Sequence, residues 1–280
     1  MLDTPTQLGL RLEVPDGRLY YELRGRGPLV VLAGAPMDAR AFAPLAELLS
    51  RDHTVLTTDP RGINRSVLHD PETDSTPELR ADDLARLIAY VDAGPAVALG
   101  SSGGAISVLA LAEAQPELVS SVIAHEPPLN ELLPDRDELR RRTEEIAVMH
   151  LAGDVRGAWV KFLQLANIDL PPFVIDQMIG GRRSPQDVAD DRYQHAHMLI
   201  PGTRWQPDLD RLRAVSTRIV VGIGADSGGQ LCERTAEALA DRLGIEPTRF
   251  PGGHIGFVDD PAAFDARLRE VMRAARGLTE

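Results

Sequence analysis

The stretch Gly100-Ser101-Ser102-Gly103-Gly104 decides how this chain is read. It follows the apolar run Ala96-Val97-Ala98-Leu99 and precedes Ala105-Ile106-Ser107-Val108-Leu109-Ala110-Leu111-Ala112. The spacing predicts a strand, a sharp turn and a helix, with Ser102 at the centre of G-x-S-x-G, the context in which a serine nucleophile is held on a strained turn. Gly100 and Gly104 are needed where strand and helix pass close together, and the backbone at Ser102 is expected to be strained. The amide of Gly103, at the start of the helix, points to where negative charge develops on a substrate carbonyl. The competing reading is a tight turn whose serine merely caps the helix.

Three further segments surround this one. Pro28-Leu29-Val30-Val31-Leu32-Ala33-Gly34-Ala35-Pro36 reads as a central strand running into a Gly/Pro loop. Asp59-Pro60-Arg61-Gly62-Ile63-Asn64-Arg65-Ser66 follows the strand Thr54–Thr58, and Phe250-Pro251-Gly252-Gly253-His254-Ile255-Gly256-Phe257 lies near the C-terminus. In this order the four segments resemble the α/β-hydrolase superfamily, Ser-nucleophile branch, over almost the whole chain. One departure is Ala33-Gly34, where many members carry His-Gly; that His usually supports the loop, so its absence leaves catalysis possible. The pair Ser101-Ser102-Gly103 and His125-Glu126-Pro127 is similar to the zearalenone-lactonase-like hydrolases. That resemblance implies that the acid partner is a Glu after the strand following the nucleophile helix.

The alternation along the chain agrees. Leu10–Val14 and Arg18–Leu23 flank Pro15-Asp16-Gly17, a hairpin signal at the edge of a mixed sheet. Strands at 29–33, 54–58, 96–100, 119–124, 218–223 and 246–250 then alternate with helices near 39–50, 77–92, 103–115, 229–242 and 261–275, the pattern of parallel strands joined by helical crossovers. The expected fold is therefore α/β, an α/β-hydrolase fold whose mostly parallel eight-stranded sheet is flanked by helices. The order breaks over 127–210, where helical patterns near 135–152, 154–166 and 171–179 are punctuated by Pro171-Pro172 and Pro201-Gly202. This reads as a helical cap inserted after the sixth strand, dividing the chain into a core of 1–126 and 211–280 and a cap of 127–210. Ligands of such sheets bind at the carboxyl ends of the strands.

Composition sets outer bounds. The 280 residues are 43% hydrophobic, enough for one sizeable core with a lid. A formal net charge of −12 argues against nucleic acid and anionic membranes as partners. The single Cys232 forbids an intrachain disulfide. No charged-then-apolar leader opens the sequence and no run is apolar enough to span a bilayer, so the expected location is cytoplasmic. A homodimer is left open.

Serine at its free pKa is a weak nucleophile and needs a base. Of the seven histidines, His254 lies in a Gly-flanked loop after the last strand, where an imidazole reaches back over Ser102. His125 is expected to point away from its neighbour Glu126. His53, His69 and His150 read as surface or lid residues. His195 and His197, two apart, do not share a helix face, and no metal site is expected. Two carboxylates compete to orient His254. Asp226 follows the strand at 218–223 in the Gly-rich run Gly222–Gly229 and reads equally as a helix cap. Glu126 is held between His125 and Pro127-Pro128, and is the expected acid, with Asp226 the alternative. The second oxyanion donor is expected from Ala35, with Gly34 as fallback. Arg61 and Ser66 read as structural. The pocket is expected from Met149, Trp159, Phe162, Phe173, Tyr193, Met198 and Trp205, together with Leu163 and Met178, which favours an apolar small-molecule substrate. The reaction expected is cofactor-free hydrolysis of a carboxylic ester or lactone through an acyl-enzyme. Carbon–carbon bond hydrolysis and perhydrolysis use the same constellation, and the rival outside catalysis is a small-molecule receptor on the same fold.

Overall fold

Two strands with no polar alternation build the middle of the sheet. β3 (Leu29–Ala33) and β6 (Ala96–Ser101) are buried along their whole length, as parallel strands covered by helices on both faces must be. The computed structural model describes residues 6–169, 171, 173–176, 181 and 183–275. Around β3 and β6 lie the hairpin β1 (Gln7–Val14) and β2 (Gly17–Arg24), then β4 (Thr54–Thr58), β7 (Val119–His125), β8 (Arg218–Gly224) and β9 (Thr248–Phe250), in the order β1-β2-β4-β3-β6-β7-β8-β9. The strands from β4 to β9 run parallel, while β2 is antiparallel to both β1 and β4. The chain thus has the α/β-hydrolase fold. A ninth strand, β5 (Val67–Leu68), pairs with β2. Two residues are too few to carry a period, which is why the sequence indicates eight strands.

Side chains alternate across the sheet into two cores. Val31, Ala33 and Ala98 face helices α2 (Pro77–Val91) and α3 (Gly103–Ala114). Val30, Leu32, Val97 and Leu99 face α1 (Ala39–Leu49) and the C-terminal helix Pro261–Ala275. From β3 the chain steps to β4 on one side and later to β6 on the other. The carboxyl ends of β3 and β6 therefore diverge at the crevice where such sheets bind ligands. The segment Asp59–Ser66 is fixed beside it by buried pairs. Arg61 donates to both oxygens of Asp83 at 2.7 Å and to Asp16 at 2.6 Å, and the Ser66 hydroxyl donates to the Asp59 carbonyl at 2.7 Å.

Between β7 and β8 the chain forms α4 (Arg136–Leu151), α5 (Val155–Ala166) and shorter helices at Pro185–Tyr193, Leu199–Thr203 and Leu209–Ala214, with no strand among the described residues. Ser184 and Asp187 close a reciprocal cap at the start of Pro185–Tyr193. Of the helical pattern over 171–179, residues 173–176 are helical and 171 is not; 172 and 177–179, Met178 included, lie outside the described residues. A π-helical turn at Gln194–Met198, not anticipated from the sequence, joins two of these helices; its hydrogen bonds reach five residues, a spacing the side-chain pattern hardly marks.

The tightest constraint is where α3 starts. A Cβ on Gly104 would lie 2.2 Å from the Ala33 carbonyl oxygen, and one on Gly100 would lie 2.2 Å from the Gly104 carbonyl oxygen. Both obstacles are backbone and have no rotamer through which to yield. Gly104→Ala is expected to cost at least about 1–3 kcal/mol, the range for overpacking a filled interior. Urea denaturation measures it; a loss under about 0.5 kcal/mol would show that the helix can back away.

Candidate active site

The turn between β6 and α3 holds Ser102 at φ 56° and ψ −126°, a conformation costly for a residue with a Cβ. The Ser102 amide donates to the His125 carbonyl at 3.0 Å, tying the turn to β7. Ser102 stands at the N-cap of α3, yet its side chain makes no capping hydrogen bond. The capping reading therefore does not describe this serine: its hydroxyl is turned from the helix toward a cavity of about 280 Å³ at the strand ends. The same cavity is lined by Gly103, Ala35 and His254. Among the described residues neither the Gly103 nor the Ala35 amide is given to a protein acceptor. Gly34, the fallback donor, does not line this cavity and packs against Met37 and Phe42.

Of the two competing carboxylates, the structure brings Glu126 to the histidine. The Nδ1 of His254 lies 2.6 Å from Glu126 Oε2, and Glu126 Oε1 accepts from the Gly224 amide at 2.7 Å. Glu126 is fully buried, at φ 52° just past the end of β7. Burial alone would raise its carboxyl pKa, but the hydrogen bond from His254 and the charges of His125 and His254 outweigh it and bring it down to about 2. Glu126 is accordingly an anion at neutral pH, which fixes the proton of neutral His254 on Nδ1 and leaves Nε2 as a lone-pair acceptor. Asp226 is exposed, its amide donates to the Gly252 carbonyl, and the N-cap of the following helix is Gln230, so Asp226 serves neither role considered for it.

The neighbouring His125 occupies the other face of the sheet. It is fully buried against Phe250 and Phe264, its Nδ1 lies 3.3 Å from the Ser101 hydroxyl, and burial pulls its pKa down to about 4. It is neutral, and its side chain does not line the cavity.

The expected pocket is only partly the observed one. Trp159, Phe162 and Met198 line the cavity. Met149 packs instead into the core between α4 and α5, and Leu163 is buried without lining the cavity. Phe173 is exposed to solvent. Tyr193 lies against Gly62 and donates its hydroxyl to the Thr73 carbonyl at 2.8 Å, and Trp205 joins the core beneath α3. A helical stripe marks burial but does not say against which neighbour. The sequence reading missed Ile106, Ile146 and Leu231, because cavity and core make the same demand on aliphatic side chains. It also missed Cys232 and Arg80. Burial, and then the Glu126 carboxylate, push the Cys232 thiol pKa up, so Cys232 is an unreactive thiol.

A second cluster lies in the inserted helices. His150, Asp191 and His195 are buried with donor atoms within 4.8 Å of one another. The two imidazoles stack in parallel 3.8 Å apart, so their in-plane lone pairs run side by side and do not converge on one point. Asp191 is already engaged by His150 at 2.9 Å and Arg183 at 2.9 Å. His197 turns outward to Asp74, as two residues' separation from His195 requires.

Comparison with known proteins agrees with the fold. The alpha/beta hydrolase family profile matches residues 29–267. An uncharacterized hydrolase of Bacillus subtilis, YraK, is 30% identical, covering 93% of this chain and 94% of its own. A zearalenone hydrolase of Bionectria ochroleuca is 25% identical over 90% of this chain and 93% of its own. Among solved structures, a thermophilic esterase from Thermogutta terrifontis superposes with a TM-score of 0.70 at 22% identity, covering 95% of this chain and 99% of its own. No helix among the described residues is long and apolar enough to cross a membrane.

The depressed Glu126 pKa has a measurable consequence. An unfolded Glu titrates near about 4.3, so between that pH and about 2 the unfolded chain binds the extra proton. Glu126 thus contributes stability that is fully present above about pH 5 and lost as the pH falls through about 2. The melting-temperature difference between wild type and Glu126→Gln should be largest at neutral pH and shrink toward pH 2. A difference that stays constant over this range would contradict the ionised, hydrogen-bonded carboxylate.

Proposed function

The chain belongs to the alpha/beta hydrolase family, and from that premise we propose that it is a serine hydrolase cleaving a carboxylic ester or lactone of an apolar small molecule through an acyl-enzyme. The observation that carries this reading is the 2.6 Å contact of His254 with the buried Glu126 anion, at the cavity into which the strained Ser102 opens. Similarity to a protein named for zearalenone hydrolysis supports a small organic substrate.

Each group then has one task. Ser102 Oγ attacks the carbonyl carbon as His254 Nε2 takes its proton. Glu126 balances the imidazolium through Nδ1 and holds the ring's orientation. The oxygen that becomes negative is received by the Gly103 and Ala35 amides, whose hydrogens have no protein acceptor to give up among the described residues. The alcohol departs with the proton from His254, leaving the acyl group on Ser102. Water gives a proton to the same nitrogen as it attacks the acyl carbon, and the acyl–Oγ bond then breaks as His254 returns that proton to Ser102, releasing the acid. The helices inserted between β7 and β8 act as a lid: Ile146 of α4 and Trp159 and Phe162 of α5 wall the cavity and exclude bulk water.

Ser102→Ala should lower turnover of a p-nitrophenyl ester by at least about 10³-fold with the fold intact, and a fluorophosphonate should label Ser102 and not Ser101. Retention of more than about a tenth of the wild-type rate would refute the nucleophile. Glu126→Ala should lower kcat by about 10²-fold or more, whereas Asp226→Ala should leave it within about two-fold. Equal losses in the two variants would remove Glu126 from the role.

A further inference from the structure

Four arginines of the core are almost completely buried or tied to buried acids, and three of them meet carboxylates. Arg61 is held by Asp83 and Asp16, Arg24 by Glu22 and Arg65 by Asp59 and Glu22. Arg80 is the exception among the described residues. Only 4% exposed, it makes no ion pair. Its Nε donates to the Ser107 hydroxyl at 2.8 Å, its Nη1 donates to the Ser75 carbonyl, and Nη2 makes no hydrogen bond among the described residues. A Cβ placed on Gly202 would meet only this Nη2, at 3.9 Å. Arg80 and Gly202 both line the cavity that holds Ser102 and His254.

An unpaired buried cation is expensive, and the neutral oxygens of Ser75 and Ser107 return only part of its lost hydration. Burial lowers its pKa to about 10, which leaves the guanidinium charged at neutral pH. The acids near it favour the charge only from a distance: Asp83 is taken up by Arg61, and Glu78 forms no ion pair with it. Such a charge is retained where something with the opposite charge arrives. We propose that Arg80 is a substrate-binding residue that receives a carboxylate carried by the substrate at the end of the cavity away from the scissile bond, so that the preferred substrates are esters or lactones bearing a remote carboxylate. This deepens the hydrolase reading and rests on it.

The geometry supports a remote rather than adjacent acid. The Ser107 hydroxyl that holds Arg80 also donates to the Gly103 carbonyl at 3.0 Å, one turn back along α3. A turn advances about 5.4 Å, so several bonds separate the anchored carboxylate from the carbonyl at Ser102. The rest of the wall is mostly apolar and suits the intervening chain. With Nε given to Ser107 and Nη1 to Ser75, Nη2 is the nitrogen left to donate a charge-assisted hydrogen bond to an oxygen of a singly charged carboxylate. The chain's net charge of −12 repels anions at long range, so this recognition is local.

The test pairs two aryl esters of one length, the mono-p-nitrophenyl ester of adipic acid and its terminal carboxamide. Wild type should favour the carboxylate by at least about 30-fold in kcat/KM, the minimum for a buried, hydrogen-bonded charge pair. The preference should lie in KM and stay level from pH 6 to 9, because Arg80 remains charged throughout. Arg80→Met should bring the ratio to one or below, and Arg80→Lys should restore part of it. A wild-type ratio of one or less overturns the proposal, as does an Arg80→Met protein that is folded by circular dichroism and keeps the full ratio. Calorimetric binding of the N-butyl monoamide of adipic acid and of its neutral diamide to Ser102→Ala reads the site without turnover. If neither ester is cleaved but the monoamide acid binds at least about 30-fold tighter, the hydrolase reading fails and the carboxylate site stands. If the esters are cleaved without preference, the hydrolase reading stands and the carboxylate site falls.

Discussion

The start of α3 lies so close to the ends of β3 and β6 that backbone touches backbone. At Gly100 and Gly104 the space for a Cβ is already filled by carbonyl oxygens, and that closeness sets the geometry of everything nearby. With glycine on both sides, the chain turns from strand to helix within one residue, and Ser102 takes the positive φ that the turn demands. The same closeness places Gly103 beside Ala35, so the first helical amide and the first loop amide border one space. The strain at Ser102 is sustained because the sheet on one side and the helix on the other leave no relaxed alternative.

Electrostatics within the core follow a consistent rule, with its departures at the cavity. Buried acids and arginines are paired around the Asp59–Ser66 loop, where the pairs hold the loop against α2 and β2. Glu126 is equally buried but is paired with a histidine, a partner whose charge is conditional. A carboxylate that stays ionised while its partner gains and loses a proton is suited to proton transfer, because it stabilises the imidazolium without taking the proton itself. His125, one residue earlier, shows what burial does without such a partner: it stays neutral among phenylalanines.

The inserted helices and the core divide the cavity between them. β3, β6, β7 and the His254 loop supply the groups to which the proposed chemistry falls, all at strand ends, where loops can be aimed without breaking the sheet. The α4–α5 pair supplies shape. Its contribution is largely aliphatic and aromatic, so Ser102 and His254 face a medium of low polarity, in which electrostatic interactions strengthen.

The layered α/β architecture is legible in the sequence, because buried parallel strands and amphipathic helices carry distinct periods and here alternate over most of the chain. The sequence also singles out Ser102 and His254, since a glycine-framed turn between a buried strand and a small-residue helix has few other physical solutions. The rigidity of its proline-bounded segment, together with the resemblance to the zearalenone-lactonase-like hydrolases, favours Glu126 over Asp226, but which carboxylate meets the imidazole depends on how β7 and β8 end in space. The pocket was the least legible. Tyr193 and Trp205 have the residue types of a cavity wall and pack elsewhere, while Arg80, read as part of an ordinary amphipathic helix, faces the cavity. Local pattern records that a side chain is buried. Which neighbour buries it, and whether a charge finds its counter-ion, is decided by segments far apart in the chain and exists only once they have packed.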